Sequence, residues 1–176
     1  KDIVFANIDF LPLKSYTNIV EGNALEVDWN TVVPKDKLNY IIGNPPFLGA
    51  RNMGDNQKKS VQAIFSTLSK NDVQMMDYVT CWFKTAAEFI FETSIQVALV
   101  STNSIVQGAQ VPILWKLLFE EYQIQINFAY QTFKWTSDSL QQAAVHCVII
   151  GFSQVNNPEK KLFTNSSFIK VKNISP

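Results

Sequence analysis

The chain is 176 residues long, with 47% hydrophobic and 17% charged residues, and its 15 basic and 15 acidic side chains cancel. That length suits one domain or a large part of one, and the composition is too apolar and too weakly charged for a disordered chain. Cys81 and Cys147 lie far apart and His146 is the single histidine, which excludes a disulfide-dense scaffold, a CxxC zinc site and a multi-histidine metal centre.

Zero net charge argues against a self-sufficient nucleic-acid binder. No apolar run reaches the roughly 18 residues of a membrane span, and no signal peptide is visible. A start at Lys1 and an end at Pro176 suggest a piece of a longer protein.

In chain order, short apolar runs alternate with helical ones, a pattern that favours an α/β architecture with a mainly parallel sheet. Residues 3–13 suit a strand or a packed arm, and residues 18–21 a short strand. Residues 38–43 form a stronger strand candidate that must stop at Asn44-Pro45-Pro46, because proline lacks the donor a ladder needs. Residues 48–60, polar with Gly49 and Gly54, are expected as a mobile loop. A short helix is expected over 61–68 and a long one over 72–91, capped by Asn71 or Asp72. Met75, Met76, Val79, Phe83, Ala86, Ala87, Ile90 and Phe91 recur there at helical spacing. The unbroken apolar run 96–102 predicts a strand covered on both faces, and 112–122 a helix with proline in its first turn. Strands are expected over 124–130 and 144–152, joined by a loop holding Phe133, Lys134 and Trp135. Residues 1–152 then form the catalytic part, and 153–176 a linker toward a further domain.

The chemistry lies in Asn44-Pro45-Pro46-Phe47. In an open α/β sheet, ligands bind beyond the carboxyl ends of the strands, which is where this tetrapeptide falls. The side-chain oxygen of Asn44 and a carbonyl of the turn can each accept a proton from a planar exocyclic amine. Pulling on both protons frees the nitrogen lone pair from the ring, and the nitrogen attacks an electrophilic methyl more readily. Phe47 offers a flat face for a base, worth about 1–3 kcal/mol. A simple turn also uses Asn and Pro for local reasons, but the strand before it favours a site.

These residues resemble the catalytic motif of the gamma-type, S-adenosylmethionine-dependent N6-adenine DNA methyltransferases. GNPPFLGARNM at 43–53, FKW at 133–135 and AAVHCVIIGF at 143–152 are similar to the methyltransferase region of MmeI-like restriction–modification enzymes. In that family nuclease, methyltransferase and target-recognition domains share one chain. The resemblance covers nearly the whole sequence. It implies a partial Rossmann-like class I methyltransferase sheet, mainly parallel with a C-terminal antiparallel hairpin and lacking the first two strands. It implies that Asn44, Pro45, Pro46 and Phe47 bind and activate adenine, that Asn23, Ala24 and Asp77, with Asn44, face the methyl donor, and that Asp77-Tyr78 begins the helix lining the donor pocket. Phe133 and Trp135 would hold the flipped base, with double-stranded DNA as partner and a cytoplasmic setting. From their charge, Arg51, Lys58 and Lys59 are candidates for phosphate contact, with a solvated loop as the equal alternative.

The family's Gly-x-Gly donor loop is absent: the six glycines include no such pair, although close backbone approach to the donor needs them. The chain is therefore expected to start after the first two strands, to bind the donor poorly alone and to methylate little. A bare sheet edge then brings a risk of self-association. His146, Cys81 and Cys147 are expected in the core rather than in catalysis. The same motif chemistry also serves protein-glutamine methylation, and a non-catalytic remnant used as a scaffold is a third possibility.

Overall fold

The apolar run before Asn44 forms strand β1 (Tyr40–Gly43), and it ends there because Pro45 cannot donate to a ladder. The computed structural model describes residues 19–135, 145–164 and 167–176. The expected segment at 3–13 lies outside these residues. Five further strands follow: β2 (Gln96–Thr102), β3 (Gln125–Trp135), β4 (Val145–Ser153), β5 (Lys160–Phe163) and β6 (Phe168–Val171). The helices are α1 (Trp29–Val32), α2 (Asp55–Ile64), α3 (Lys70–Val73), α4 (Thr80–Phe89) and α5 (Gln110–Glu120).

The six strands form one sheet in the order β1-β2-β4-β3-β5-β6. β1 and β2 pair in parallel, β4 runs antiparallel to both β2 and β3, and β5 runs parallel to β3. Four of the six strands thus point one way, with β4 and β6 opposed. This is the expected partial Rossmann-like sheet with an antiparallel β3–β4 hairpin. Because β1, β2 and β3 share a direction, their carboxyl ends open on the same rim. Thr102 pairs with Cys147, which pairs in turn with Phe133.

One face of the sheet presents Val97, Leu99, Ile126, Ile150 and Phe152 to the buried faces of α4 and α5. Phe83 sits at the centre, with ring centroids 6.1 Å from Trp115 and 5.8 Å from Phe152. Burying each such side chain contributes roughly 1.5–3 kcal/mol before entropy is subtracted. On the opposite face Phe128 lies flat over Gly151: a Cβ there would come within 2.0 Å of the ring.

Several expectations are corrected. Residues 19–21 form no strand, and residue 18 lies outside the described part. The second half of the expected loop 48–60 is helical: α2 starts at Asp55, where the Gln57 side chain accepts the Gly54 N–H at 2.7 Å. That bond satisfies a donor that the helix cannot. The single helix expected over 72–91 is two, α3 and α4. Between them the Asp77 N–H donates to Gln110 Oε1 at 2.9 Å and the Tyr78 N–H to the Leu48 carbonyl at 2.9 Å. These donors leave the helical ladder for partners elsewhere in the fold. At the break Met75 faces solvent while Met76 is buried, and Phe91, past the end of α4, is partly exposed.

Phe133, Lys134 and Trp135 belong to β3 rather than to a loop, and β3 is irregular between Tyr130 and Phe133. Nor is 153–176 a bare linker, since Lys161, Leu162 and Phe163 pair with Phe128, Ala129 and Tyr130 and so add β5 and β6 to the sheet. His146 is exposed on β4 opposite Lys134, not in the core. Both cysteines are buried and free, as expected of core thiols. β1 is the bare edge, and Tyr40 (64% exposed) and Ile42 (83%) show how little covers it among the described residues.

Gly151→Ala forces the Phe128 ring away from the sheet. The expected loss is about 1–3 kcal/mol, the usual cost of overpacking, read as a lower denaturation midpoint. An unchanged midpoint would contradict the close packing.

Candidate active site

Asn44 leaves the end of β1 exposed to solvent. Pro45 behind it is buried, Pro46 is exposed, and Phe47 is half-buried with its ring packed against the core. Two proline rings fix two backbone φ angles, so the acceptors of Asn44 stand on a stiff turn. The chain is caught again just beyond it. The Leu48 carbonyl accepts from the Tyr78 N–H, and the Ala50 N–H donates to Asp77 Oδ1 at 2.9 Å. A single turn of 3-10 helix, Ala50–Asn52, follows.

Asp77 is therefore placed differently from its expected role facing the methyl donor. Its carboxylate is engaged inside the protein. Besides Ala50, it accepts from Ser104 Oγ at 2.5 Å and from Gln110 Nε2 at 2.8 Å, both on Oδ2. Gln110 is 4% exposed, and its Nε2 also donates to the Ser104 carbonyl at 2.9 Å. Ser104 Oγ lies 2.7 Å from Thr102 Oγ1 at the end of β2.

The neighbouring Tyr78 faces the other way, into a cleft of about 990 Å³ lined also by Asn23, Glu26, Lys59 and Ser60. Its ring stands edge-on to Trp82 at 5.1 Å. Burial pushes the Tyr78 hydroxyl above its usual pKa, and Ser60 offsets part of that. Asn23 forms a local turn: its Oδ1 accepts the Leu25 N–H at 3.1 Å and its Nδ2 donates to Glu26 at 2.8 Å. Ala24 uses its carbonyl to hold the Trp29 indole N–H at 2.7 Å. The structure thus brings Asn23 to the cleft with Tyr78, and leaves Asp77 out of its lining.

Arg51 and Lys58 are exposed, Arg51 on the 3-10 turn and Lys58 on α2, and neither lines the cleft; Lys59 does. Phe133 and Trp135 stand on the rim at the end of β3, with centroids 6.2 Å apart and Trp135 40% exposed. Thr132 Oγ1 donates to Asn103 Oδ1 at 2.6 Å, tying this stretch to the turn after β2. Among the described residues no cluster of three or more His, Cys, Asp or Glu could hold a metal, and no helix is long and apolar enough to cross a membrane.

Ser104 and Gln110 were not singled out from the sequence, whereas Lys59 and Tyr78 were named beside Lys58 and Asp77. Asp77 carried a signal, being an acid between the apolar Met76 and Val79 on a face expected to be buried. Gln110 and Ser104 carried none, since their role exists only once β2 and α5 are packed.

The comparisons with known proteins agree in direction. The family model of the MmeI DNA-methyltransferase domain matches residues 2–164. DNA methyltransferase A of Bacillus subtilis (strain 168) is 40% identical over 169 residues, which are 94% of this chain and 19% of that protein. The solved structure of the Type IIL restriction–modification enzyme MmeI in complex with DNA is 43% identical, with a TM-score of 0.84 over 93% of this chain and 22% of that one. The chain spans about a fifth of the length of these relatives.

Desolvation pushes the buried Cys81 thiol up to about 12. An unfolded thiol titrates near ~8.5, so its contribution to stability holds below that pH and is lost as pH rises toward the folded value. Folded protein at pH 8 is expected to protect Cys81 from iodoacetamide, and unfolding to expose it, as followed by mass spectrometry. Rapid labelling of Cys81 in the folded state would contradict a core thiol.

Proposed function

On the footing that this chain belongs to the MmeI DNA-methyltransferase domain family, we propose that it is the base-activating part of an S-adenosylmethionine-dependent N6-adenine DNA methyltransferase within a longer restriction–modification enzyme. The observation that carries this reading is the exposed amide of Asn44 on a turn pinned at both ends, by the β1–β2 ladder before it and by Tyr78 and Asp77 after it. In a flipped adenine, Asn44 Oδ1 accepts one N6 proton and a carbonyl of the turn accepts the other. The N6 lone pair becomes available as it loses conjugation with the ring. The exposed part of Phe47 gives the base a surface to stack on, and Phe133 and Trp135 approach it from the β3 side of the same rim.

The cleft beside Asn23 and Tyr78 fits the adenine end of the methyl donor. It offers an aromatic wall, a carboxylate on Glu26 and an amide. No Gly-x-Gly pair in this sequence serves the amino-acid end, and we assign that end to another part of the longer polypeptide. When bound, S-adenosylmethionine supplies an electrophilic methyl and leaves as S-adenosylhomocysteine. The chain's own residues hold the nitrogen in line and take up its protons' hydrogen bonds. The basic surface that grips DNA lies mostly elsewhere in the parent, since the net charge here is zero, with Arg51 and Lys58 as local phosphate contacts.

The test uses the full-length parent and labelled methyl donor. Asn44→Ala is expected to lower kcat by about 10²–10³-fold, as loss of a preorganised transition-state contact does, while donor binding measured by calorimetry is retained. A folded Asn44→Ala enzyme that methylates adenine at the normal rate would overturn the assignment. Absence of donor binding by the unaltered parent would favour a non-catalytic remnant instead.

A further inference from the structure

Resting on that reading, we propose that Asp77 is a positioning residue: it sets where the Asn44 turn stands while itself touching neither substrate. The turn has few anchors. Before Asn44 it is fixed by β1, whose Gly43 pairs with Leu99 of β2. After Phe47 it is fixed by the Tyr78 N–H on the Leu48 carbonyl and by the Asp77 carboxylate on the Ala50 N–H. Asp77 is held from behind by Ser104 and Gln110, and Ser104 is joined to Thr102 at the end of β2. Both anchors of the turn therefore lead back to β2. A shift of the Ala50 bond moves the acceptors that must meet the N6 protons.

The pattern of donors makes this role testable with one atom. Asp77 Oδ1 faces the Ala50 N–H and Oδ2 faces the Gln110 amide. An asparagine amide has one acceptor and one NH2 group, so in either orientation its NH2 meets a donor. Rotating Gln110 to compensate breaks its bonds to the Asp77 N–H and the Ser104 carbonyl. Asp77→Asn keeps size and shape, and removes the charge together with the ability to hold both sides.

In the full-length parent, Asp77→Asn is expected to lower kcat for adenine methylation by about 10–100-fold, the usual effect of a misplacement near 1 Å. KM for DNA and for the donor is expected to stay within about threefold, because no binding contact is removed. A purely structural role would lower the melting temperature and leave kcat of the folded enzyme alone. If Asp77→Asn does not fold, Gln110→Ala carries the same test: it removes the brace, leaves the Asp77–Ala50 bond, and is expected to lower kcat about fivefold or more with KM kept. Unchanged kcat in the folded variants, or a raised KM with kcat kept, overturns the proposal. Asn44→Ala run beside them separates the two claims. If Asn44→Ala is inactive while Asp77→Asn is normal, the positioning role alone falls. If Asn44→Ala is active, the base-activating reading falls and this inference with it.

Discussion

Asp77 takes a negative charge into a junction between the Asn44 turn, the break before α4, the end of β2 and the start of α5. A carboxylate partly drawn out of water must find donors, or the junction becomes costly. Here the donors come from three different segments: Ala50, Ser104 and Gln110. None of the three is near Asp77 in sequence, so the charge is satisfied only when the segments are packed together. The same junction breaks the helix, since the backbone donors of Asp77 and Tyr78 are spent on Gln110 and Leu48. Continuity of a helix is given up for the placement of a turn.

That exchange explains what could be read from the residues and what could not. β2 and α5 came through almost unchanged because their signals are local and strong, an unbroken apolar run and an apolar face after a first-turn proline. The Asn44 turn was legible for the same reason: two successive prolines cannot donate to a ladder, so the strand is expected to stop before them. The break at 74–79 was invisible, because the apolar spacing runs straight through it and only tertiary bonds interrupt it. α2 was obscured by its polar surface, with Val61 its single buried residue. β5 and β6 are short, with Lys160 their single buried residue, and they exist as strands because Phe128, Ala129 and Tyr130 offer β5 a ladder and β5 in turn offers one to β6. Of the site, Asn44 and Asn23 were found by their neighbours in sequence. Tyr78 was reached only through Asp77, and the two side chains turned out to face opposite ways.

The division between Asp77 and Tyr78 also organises the proposed chemistry. One residue looks toward the turn that would hold the target base, the next into the cleft that would take the donor's adenine end. Two successive residues on one stretch of backbone thus face the two regions proposed to hold base and donor. Among the described residues β1 is an uncovered edge of the sheet, and the sequence holds no Gly-x-Gly pair.

The position of β4 has a consequence for how the molecule comes into being. β4 lies between β2 and β3 yet is made after both. Until residues 145–153 have left the ribosome, the strand that joins β2 to β3 does not exist, and the growing chain holds a β1–β2 pair and an unpaired β3. The open edges of β2 and β3 wait for the same strand. Insertion of β4 closes the sheet in one late, non-local step, the kind that sets a slow folding rate. The rim carrying Asn44, Thr102 and Phe133 exists as a single surface only after that strand is in place.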